Sequence, residues 1–400
     1  MRKTALPVQE NQRMPDTTPP GWLRRREQLV GVQTARGVAA VMVVLYHATR
    51  GLSLPQYLGY IPFGNILGFG HAGVDFFFVL SGFIVMHAHT EDVGRPERLY
   101  RYMWRRITRI YPIYWVVTVI EAARALFSSD FAVRLAPSHI IHSVLLLPEP
   151  LEPLVSVGWT LRSEMLFYVV FALAILNRRC CRPLGAMALS LILIGLVAAP
   201  TDPWTGLLVS SFNIQFLMGI AVAKFLAHRR PPCPTALIVG GALFFLAVGM
   251  MEVHGIVPLN GLIGRLLYGG ASMAILLGLV DAERGRIIRF SPFGVLMGNA
   301  SYALYLIHLT VIPLAIRVGA RVGMLAALPT GATVAALAVL SIGVAIALHA
   351  WVEVPLTTLI RRRTSPRGFG PGRADPRRID RADGSAAGIP SFQAGPSEHL

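Results

Sequence analysis

The sequence predicts an all-α protein that crosses a membrane about ten times. Of its 400 residues, 54% are hydrophobic and 14% are charged, whereas a soluble domain carries about 25% charged residues. The mean hydropathy is +0.56, and apolar runs of roughly 18 or more residues recur along the chain. A soluble enzyme is excluded because the chain has too few charged residues to coat a water-exposed surface.

Ten candidate spans lie between charged, proline or glycine breaks. They are 30–50, 72–88, 107–127, 159–176, 184–199, 211–227, 235–251, 265–280, 294–316 and 331–360. The apolar segment 139–147 lies between Pro137 and Pro148 and is too short to cross. We expect it to form an interfacial or re-entrant piece.

Loop charges predict that both termini lie in the cytoplasm. Lys and Arg collect in the cytoplasmic loops of membrane proteins. With the N-terminus inside, fifteen basic residues fall in cytoplasmic loops against about five in outer loops. Counting 139–147 as a span would invert every later loop and place the arginines around Arg178 outside.

The net charge of +16 does not indicate a nucleic-acid partner. The basic residues lie in the two terminal segments and in short runs between apolar segments, as expected where they set membrane orientation. Residues 1–27 and 361–400 are rich in Pro, Gly, Arg and Ser. We expect disordered basic cytoplasmic tails that contact membrane lipids, on either side of a membrane domain at 28–360.

Two ionisable residues share one face of the first span. Arg36 and His47 are eleven positions apart, which corresponds to about three helical turns plus 20° and about 16 Å of rise. Ionisable groups inside a span are costly and mark functional sites. A lone intramembrane histidine can instead be a structural hydrogen-bond partner, but the aligned arginine favours a polar path along this face.

The second span carries Asp75 near its outer end and Ser81 with Gly82 at its centre. Asp75 lies at a depth comparable to that of His47, so its carboxylate could orient the imidazole and raise its basicity. For Ser81 and Gly82 we favour close helix packing, because small residues let helices approach each other.

The third span begins with Arg106 and Arg109, three positions apart and therefore on one helical face. Guanidinium groups bind phosphate oxygens in a bidentate manner, so this pair suits an anionic phosphate ligand. Anchoring by the positive-inside rule explains the same residues equally well.

Later spans add further candidates. Arg162 and Glu164 stand two positions apart, so they cannot share a helical face and should have different partners. Tyr168 follows on the same span, and His308 is a second intramembrane imidazole. We name Ser81, Arg162, Tyr168 and His308 as candidates that line a pore through the bundle or lie on the side where an acceptor substrate would bind.

Six segments, in order over about residues 30–360, resemble acyltransferase family 3, the integral-membrane acyltransferases that decorate bacterial glycans. They are Arg36 with His47, Val74 to Phe83, Arg106 to Pro112, Trp159 to Glu164 with Phe167-Tyr168, Ser301 to His308, and Glu353-Val354-Pro355. The opening Gly31 to Arg36 resembles the exopolysaccharide O-acetyltransferase branch. Gln215 departs from the glutamate usual in the family, which puts an acid role at that position in doubt.

The resemblance implies an enzyme of the bacterial inner membrane that uses cytoplasmic acyl-CoA, often acetyl-CoA, as co-substrate. The acceptor would be a hydroxyl of an exported or cell-surface glycan or of a lipid-linked saccharide, handled alone or with the polysaccharide synthesis and export machinery. Arg106 and Arg109 would bind acyl-CoA, and the catalytic set would be His47, Arg36, Asp75 and Glu164. We expect neither a bound cofactor nor a metal.

Several alternatives stay open at this point. His47 could act as a general base on the acceptor hydroxyl, which we favour, or carry the acyl group as a transient acyl-imidazole. A transporter or flippase for an acylated or anionic lipid or sugar would use the same buried charges as a pathway, and the acceptor could be a small secondary metabolite. A non-catalytic scaffold leaves the buried charges unexplained.

Overall fold

The computed structural model describes residues 29–364 except 129, 199, 257, 258, 260 and 289. Within these residues the regular structure is helical and contains no strand, which confirms the predicted all-α class. The α-helices are α1 (Val30–Leu52), α2 (Gly73–His89), α3 (Leu99–Ala125), α4 (Phe131–Arg134), α5 (Pro137–Leu145), α6 (Gly158–Leu176), α7 (Cys181–Val197), α8 (Pro203–Leu208), α9 (Asn213–His228), α10 (Pro234–Val253), α11 (Leu262–Arg284), α12 (Pro292–Arg321), α13 (Met324–Ala327), α14 (Thr330–Leu348) and α15 (Val354–Thr364). Short 3₁₀ segments lie at Pro62–Ala72, Thr90–Asp92, Pro96–Arg98 and Arg178–Cys180, and a π-helical turn joins α14 to α15 at His349–Glu353.

A helix occupies each of the ten predicted spans. In the described part of the chain, nine helical stretches are long and apolar enough to cross a membrane. The tenth prediction, 107–127, falls on α3, which has 27 residues and is about 40 Å long. Its first half is rich in arginine, so α3 has the length of a span without the apolar composition of one.

The segment predicted to be interfacial or re-entrant, 139–147, overlaps α5, which begins two residues earlier. This helix has nine residues and is about 13 Å long, less than half the thickness of a bilayer core. The two predicted tails lie outside the described residues, apart from the last residues of α15. The cytoplasmic location of both termini stays a prediction.

Close helix contacts depend on pairs of glycines. α2 packs along α9, and α1 packs along α12. A Cβ at Gly82 would collide with the carbonyl oxygen of Phe216, and one at Gly219 would collide with that of Val79. The expected packing role of Gly82 is therefore confirmed, because the α2–α9 contact leaves no room for a side chain.

The start of α1 is held by a carboxylate from α11. The backbone N–H groups of Val30 and Gly31 donate to Glu283 at 2.5 and 2.9 Å. The first N–H groups of a helix lack partners within the helix, and a carboxylate there also complements the helix dipole. This contact fixes α1 along its axis and thereby fixes the depth of Arg36 and His47. We call the end of the bundle where α1 ends the distal end.

Candidate functional site

A narrow cavity with several charged side chains in its wall lies between α1, α2, α3, α6 and α12, and we call it the arginine cavity. It encloses about 90 Å³, and its charged lining residues are Arg36, Arg106, Arg109 and Glu164. Pockets for whole small molecules typically enclose about 300–1,000 Å³. The arginine cavity is therefore wide enough for a slender chain rather than for a whole nucleotide.

Glu164 accepts two hydrogen bonds at the wall of this cavity. Ser81 Oγ donates to Glu164 Oε1 at 2.8 Å, and the hydroxyl of Tyr168, one turn along α6, donates to the same oxygen. Ser81 therefore does more than pack, in contrast to our expectation for it. Because Glu164 also lines the cavity, its carboxylate can contact a ligand there.

Arg106 is buried at 8% exposure and is held on three sides. Its Nη2 lies 2.7 Å from His89 Nε2, and its guanidinium lies over the rings of Tyr102 and Tyr168 at 5.8 and 5.5 Å from the centroids. Among the residues that the structure describes, its buried Nε has no hydrogen-bond partner. An arginine that served only to set the orientation of α3 in the membrane would not need to be buried or stacked on aromatic rings.

Arg109 lies one turn further along α3, lines the same cavity and is exposed. Arg36 reaches the cavity from α1, where its Nη1 donates to Gln33 Oε1 at 3.0 Å. The predicted common face of Arg106 and Arg109 is thus present, and it joins Arg36 in one cationic site.

A histidine pair lies toward the distal end. His47 Nδ1 is 2.9 Å from the carbonyl oxygen of Val43 and 3.2 Å from His308 Nε2. His308 Nδ1 is 3.1 Å from the carbonyl oxygen of Leu304. Because a carbonyl oxygen only accepts, these partners place the proton of each neutral ring on Nδ1. His47 Nε2 then carries a free lone pair, as a general base requires.

One face of α12 connects the cavity to the histidine pair. Ser301 and Tyr305 line the cavity, and His308 follows at the next turn with ring centroids 5.8 Å from Tyr305. The rings of His308 and His47 are 4.9 Å apart. A chain of side chains therefore leads from the arginine cavity to the base, in line with the polar path expected from Arg36 and His47.

Asp75 does not contact His47, in contrast to the expectation that it orients the imidazole. Its carboxylate accepts from Arg265 Nη1 at 2.6 and 2.7 Å and from Gln215 Nε2 at 2.6 Å. The side chain is fully buried, and these partners tie α2 to α9 and α11. The second imidazole, His308, takes the place beside His47 that we had expected for this carboxylate.

Arg162 also lies away from the arginine cavity. It is buried and donates to Glu149 at 3.3 Å, and Glu149 Oε1 lies 2.9 Å from His139 Nδ1. As expected, Arg162 and Glu164 have different partners. Arg162 fastens the chain between α5 and α6 onto the start of α6.

Sequence reasoning missed several polar residues that the structure brings together. The hydroxyl of Tyr305 shares a hydrogen bond with that of Thr160 at 3.0 Å, although the Ser301 to His308 segment offered only His308 as a candidate. Neither Arg265 nor Glu252 is among the candidates that the sequence predicts. Both lie at span ends, where the rule that ionisable intramembrane residues are functional could have found them.

Comparison with known proteins identifies the family to which the chain belongs. The acyltransferase domain family matches residues 29–350. The chain is 31% identical over 270 residues to the exopolysaccharide production protein ExoZ of Rhizobium meliloti (strain 1021), covering 65% of this chain and 82% of that protein. It is 27% identical over 173 residues to protein 2 in the picA locus of Rhizobium radiobacter, covering 36% of this chain and 82% of that protein. No solved structure matches. The chain belongs to acyltransferase family 3 and is an integral-membrane acyltransferase.

Proposed function

We propose that this enzyme transfers an acyl group, most simply acetyl, from cytoplasmic acyl-CoA to a hydroxyl of an exported or cell-surface glycan. The observation that carries the proposal is the connection from the arginine cavity through Tyr305 and His308 to His47. It links a site for an anionic donor with a base. The relationship to an exopolysaccharide production protein supports a polysaccharide acceptor, and a bacterial inner-membrane location follows from the use of cytoplasmic acyl-CoA.

Charge and shape support acyl-CoA as the donor. Arg36, Arg106 and Arg109 form a cationic group at one cavity, and guanidinium groups are suited to the phosphates of CoA. The exposed Arg109 is available to the nucleotide outside the cavity. The narrow volume of about 90 Å³ suits the slender arm that carries the thioester.

Proton transfer by His47 accounts for the chemical step. His47 Nε2 removes the hydroxyl proton of the acceptor while the hydroxyl oxygen bonds to the thioester carbonyl carbon. Collapse of the tetrahedral intermediate breaks the carbon–sulfur bond, and the imidazolium returns the proton to the departing CoA thiolate. A placed general base contributes about 10²–10⁴-fold to such a reaction.

The rival readings are less well supported. Family membership favours an acyltransferase over a transporter or flippase. An acyl-imidazole on His47 uses the same Nε2 lone pair and gives the same product, so only trapping of a labelled intermediate separates it from general-base catalysis. The molecule that receives the acyl group distinguishes a small secondary metabolite from a glycan as the acceptor.

The test uses the purified full chain with radiolabelled acetyl-CoA and membranes from cells that lack the gene. We expect label in the glycan fraction, released by mild alkali as an ester is, and release of one CoA thiol for each acetyl group transferred. Label in a soluble small molecule would establish the metabolite alternative. Absence of both thiol release and transfer would contradict the proposed function.

A further inference from the structure

An apolar groove of about 400 Å³ runs along α1, α10 and α11. On α1 its lining extends from Gly31 to Met42, about 16 Å along the helix. Of the described residues that line it, only Thr34 is polar and none is charged. The groove is separate from the arginine cavity, because the two share no lining residue.

The groove opens toward the lipid side of the bundle. Val38 and Leu246, which line it, are 58% and 47% exposed. Both belong to helices that have the length and composition of membrane spans. Because the surroundings at that depth are hydrocarbon rather than water, the chemistry that fits the groove is a hydrocarbon chain.

Beyond the groove, at the distal end, lies a polar cluster of Tyr46, His71, Glu252 and Tyr268. His71 Nε2 is 2.9 Å from Glu252 Oε1, and the Tyr268 hydroxyl donates to Glu252 Oε2 at 2.5 Å. The rings of Tyr46 and His71 are 5.6 Å apart. The side chains of His71 and Glu252 are 30% and 23% exposed, so the cluster is accessible.

The groove and the cluster are continuous. Tyr46 is one helical turn beyond Met42, the last groove residue on α1, and His71 is two positions after Phe69. The ring of Phe245, in the groove lining, lies 4.9 Å from that of Tyr268. Together they form an elongated site that is apolar along its length and polar at one end.

The polar end of this site adjoins the base. Tyr46 precedes His47 in the chain, and their ring centroids are 4.8 Å apart. A ligand with its hydrocarbon tail in the groove would therefore present its head group beside His47. Carboxylate and imidazole groups hydrogen-bond to hydroxyls, and the Tyr46 ring can pack against the apolar face of a sugar.

We propose that the acceptor is bound as a lipid-linked saccharide, with its hydrocarbon tail in the apolar groove and its sugar at the polar cluster. The inference rests on the proposed function and names the form in which the acceptor is recognised. At Glu252 itself a sugar hydroxyl is favoured over a phosphate, because the hydroxyl donates a hydrogen bond to the carboxylate whereas the phosphate meets it as a like charge.

Photolabelling tests this site without requiring catalysis. The probes are dodecyl glucoside and a phosphatidylcholine, each with a diazirine at the same position in the chain. They are added at equal mole fraction to the full chain in phosphatidylcholine nanodiscs. We expect the glucoside to label the groove segments of α1, α10 and α11, and to do so about fivefold more than the phospholipid, the effect of one net hydrogen bond.

Matched variants locate the two halves of the site. Ala242 lines the groove and Ala247 faces outward from the same helix; both are exposed. Ala242→Phe should reduce glucoside labelling about tenfold, because it fills the tail site, whereas Ala247→Phe should leave it unchanged. Glu252→Gln should keep the labelled position and remove the preference for glucoside.

Two results would overturn the inference. Label outside the groove would refute the tail site, and equal labelling by both probes would reduce it to a structural lipid site. Neither result affects thiol release from acetyl-CoA, so failure of this inference is distinguishable from failure of the proposed function.

Discussion

At the scale of single residues, the histidine pair explains how one imidazole is prepared as a base. His47 donates from Nδ1 to Val43 and His308, which leaves Nε2 unprotonated. His308 acts only through His47 and is therefore a positioning residue. The sequence showed two intramembrane histidines, but their contact joins positions 261 apart, and helix periodicity carries no information on which spans meet.

Replacing His308 should affect turnover rather than donor binding. We expect His308→Ala to lower kcat roughly fivefold, the value of one net hydrogen bond, with the KM for acetyl-CoA unchanged. His308→Gln keeps an acceptor for His47 Nδ1–H and should recover part of kcat. A rise in KM with constant kcat would show instead that His308 binds the donor.

Arg109 gives the cleanest test of donor binding. Arg109→Ala should raise the KM for acetyl-CoA about tenfold or more, because a charge-assisted hydrogen bond to phosphate is lost. Arg109→Lys keeps the charge and should lie in between. An unchanged KM in steady-state assays would assign Arg109 to membrane anchoring alone.

Arg106 should behave differently from Arg109, although the sequence treats them as equivalent. Arg106 is buried against His89, Tyr102 and Tyr168, whereas Arg109 is exposed. The spacing of three predicted that Arg106 and Arg109 share one face of α3, and they do. The spacing could not predict that one is buried and the other exposed, because burial depends on how α2 and α6 pack against α3.

At the scale of helices, the buried Asp75–Arg265 ion pair joins α2 to α11, with Gln215 of α9 as a third member. Hydropathy alone predicted all three helices. The partner of Asp75 could not be predicted, because Arg265 lies 190 positions later and pairs through tertiary packing. The resulting network is structural in character.

Breaking this ion pair should destabilise the bundle. Asp75→Ala should lower the free energy of unfolding by about 3–5 kcal/mol, because Arg265 would remain as an unpaired buried charge. Adding Arg265→Ala should recover part of the loss. Thermal unfolding in detergent measures both effects, and strictly additive losses in the double variant would show that the two side chains do not interact.

At the scale of the whole molecule, the predicted topology depends on α3. If α3 crosses the membrane, the loops before and after it face opposite sides and the two termini lie on the same side, which the loop charges predict to be the cytoplasm. Its arginine-rich first half makes composition alone insufficient for this assignment. Its length and the loop charges are the evidence in favour.

Cysteine labelling tests this topology. With Cys180, Cys181 and Cys233 replaced by serine, Arg95→Cys precedes α3 and Glu152→Cys follows it; both positions are exposed. An impermeant maleimide should label Glu152→Cys in intact cells but Arg95→Cys only after lysis. Identical behaviour of the two positions would mean that α3 does not cross.

The central claim is that His47 catalyses acyl transfer to an exported glycan. Its most direct test is the acyl content, by mass spectrometry, of polysaccharide from a deletion strain complemented with wild type, His47→Ala or His228→Ala. His228 is a matched control, because it is an exposed helical histidine whose Nδ1 lies 3.0 Å from a carbonyl oxygen one turn earlier, that of Lys224. We predict that wild type and His228→Ala restore acylation and that His47→Ala, at equal membrane abundance, does not. Full acylation with His47→Ala would contradict the account.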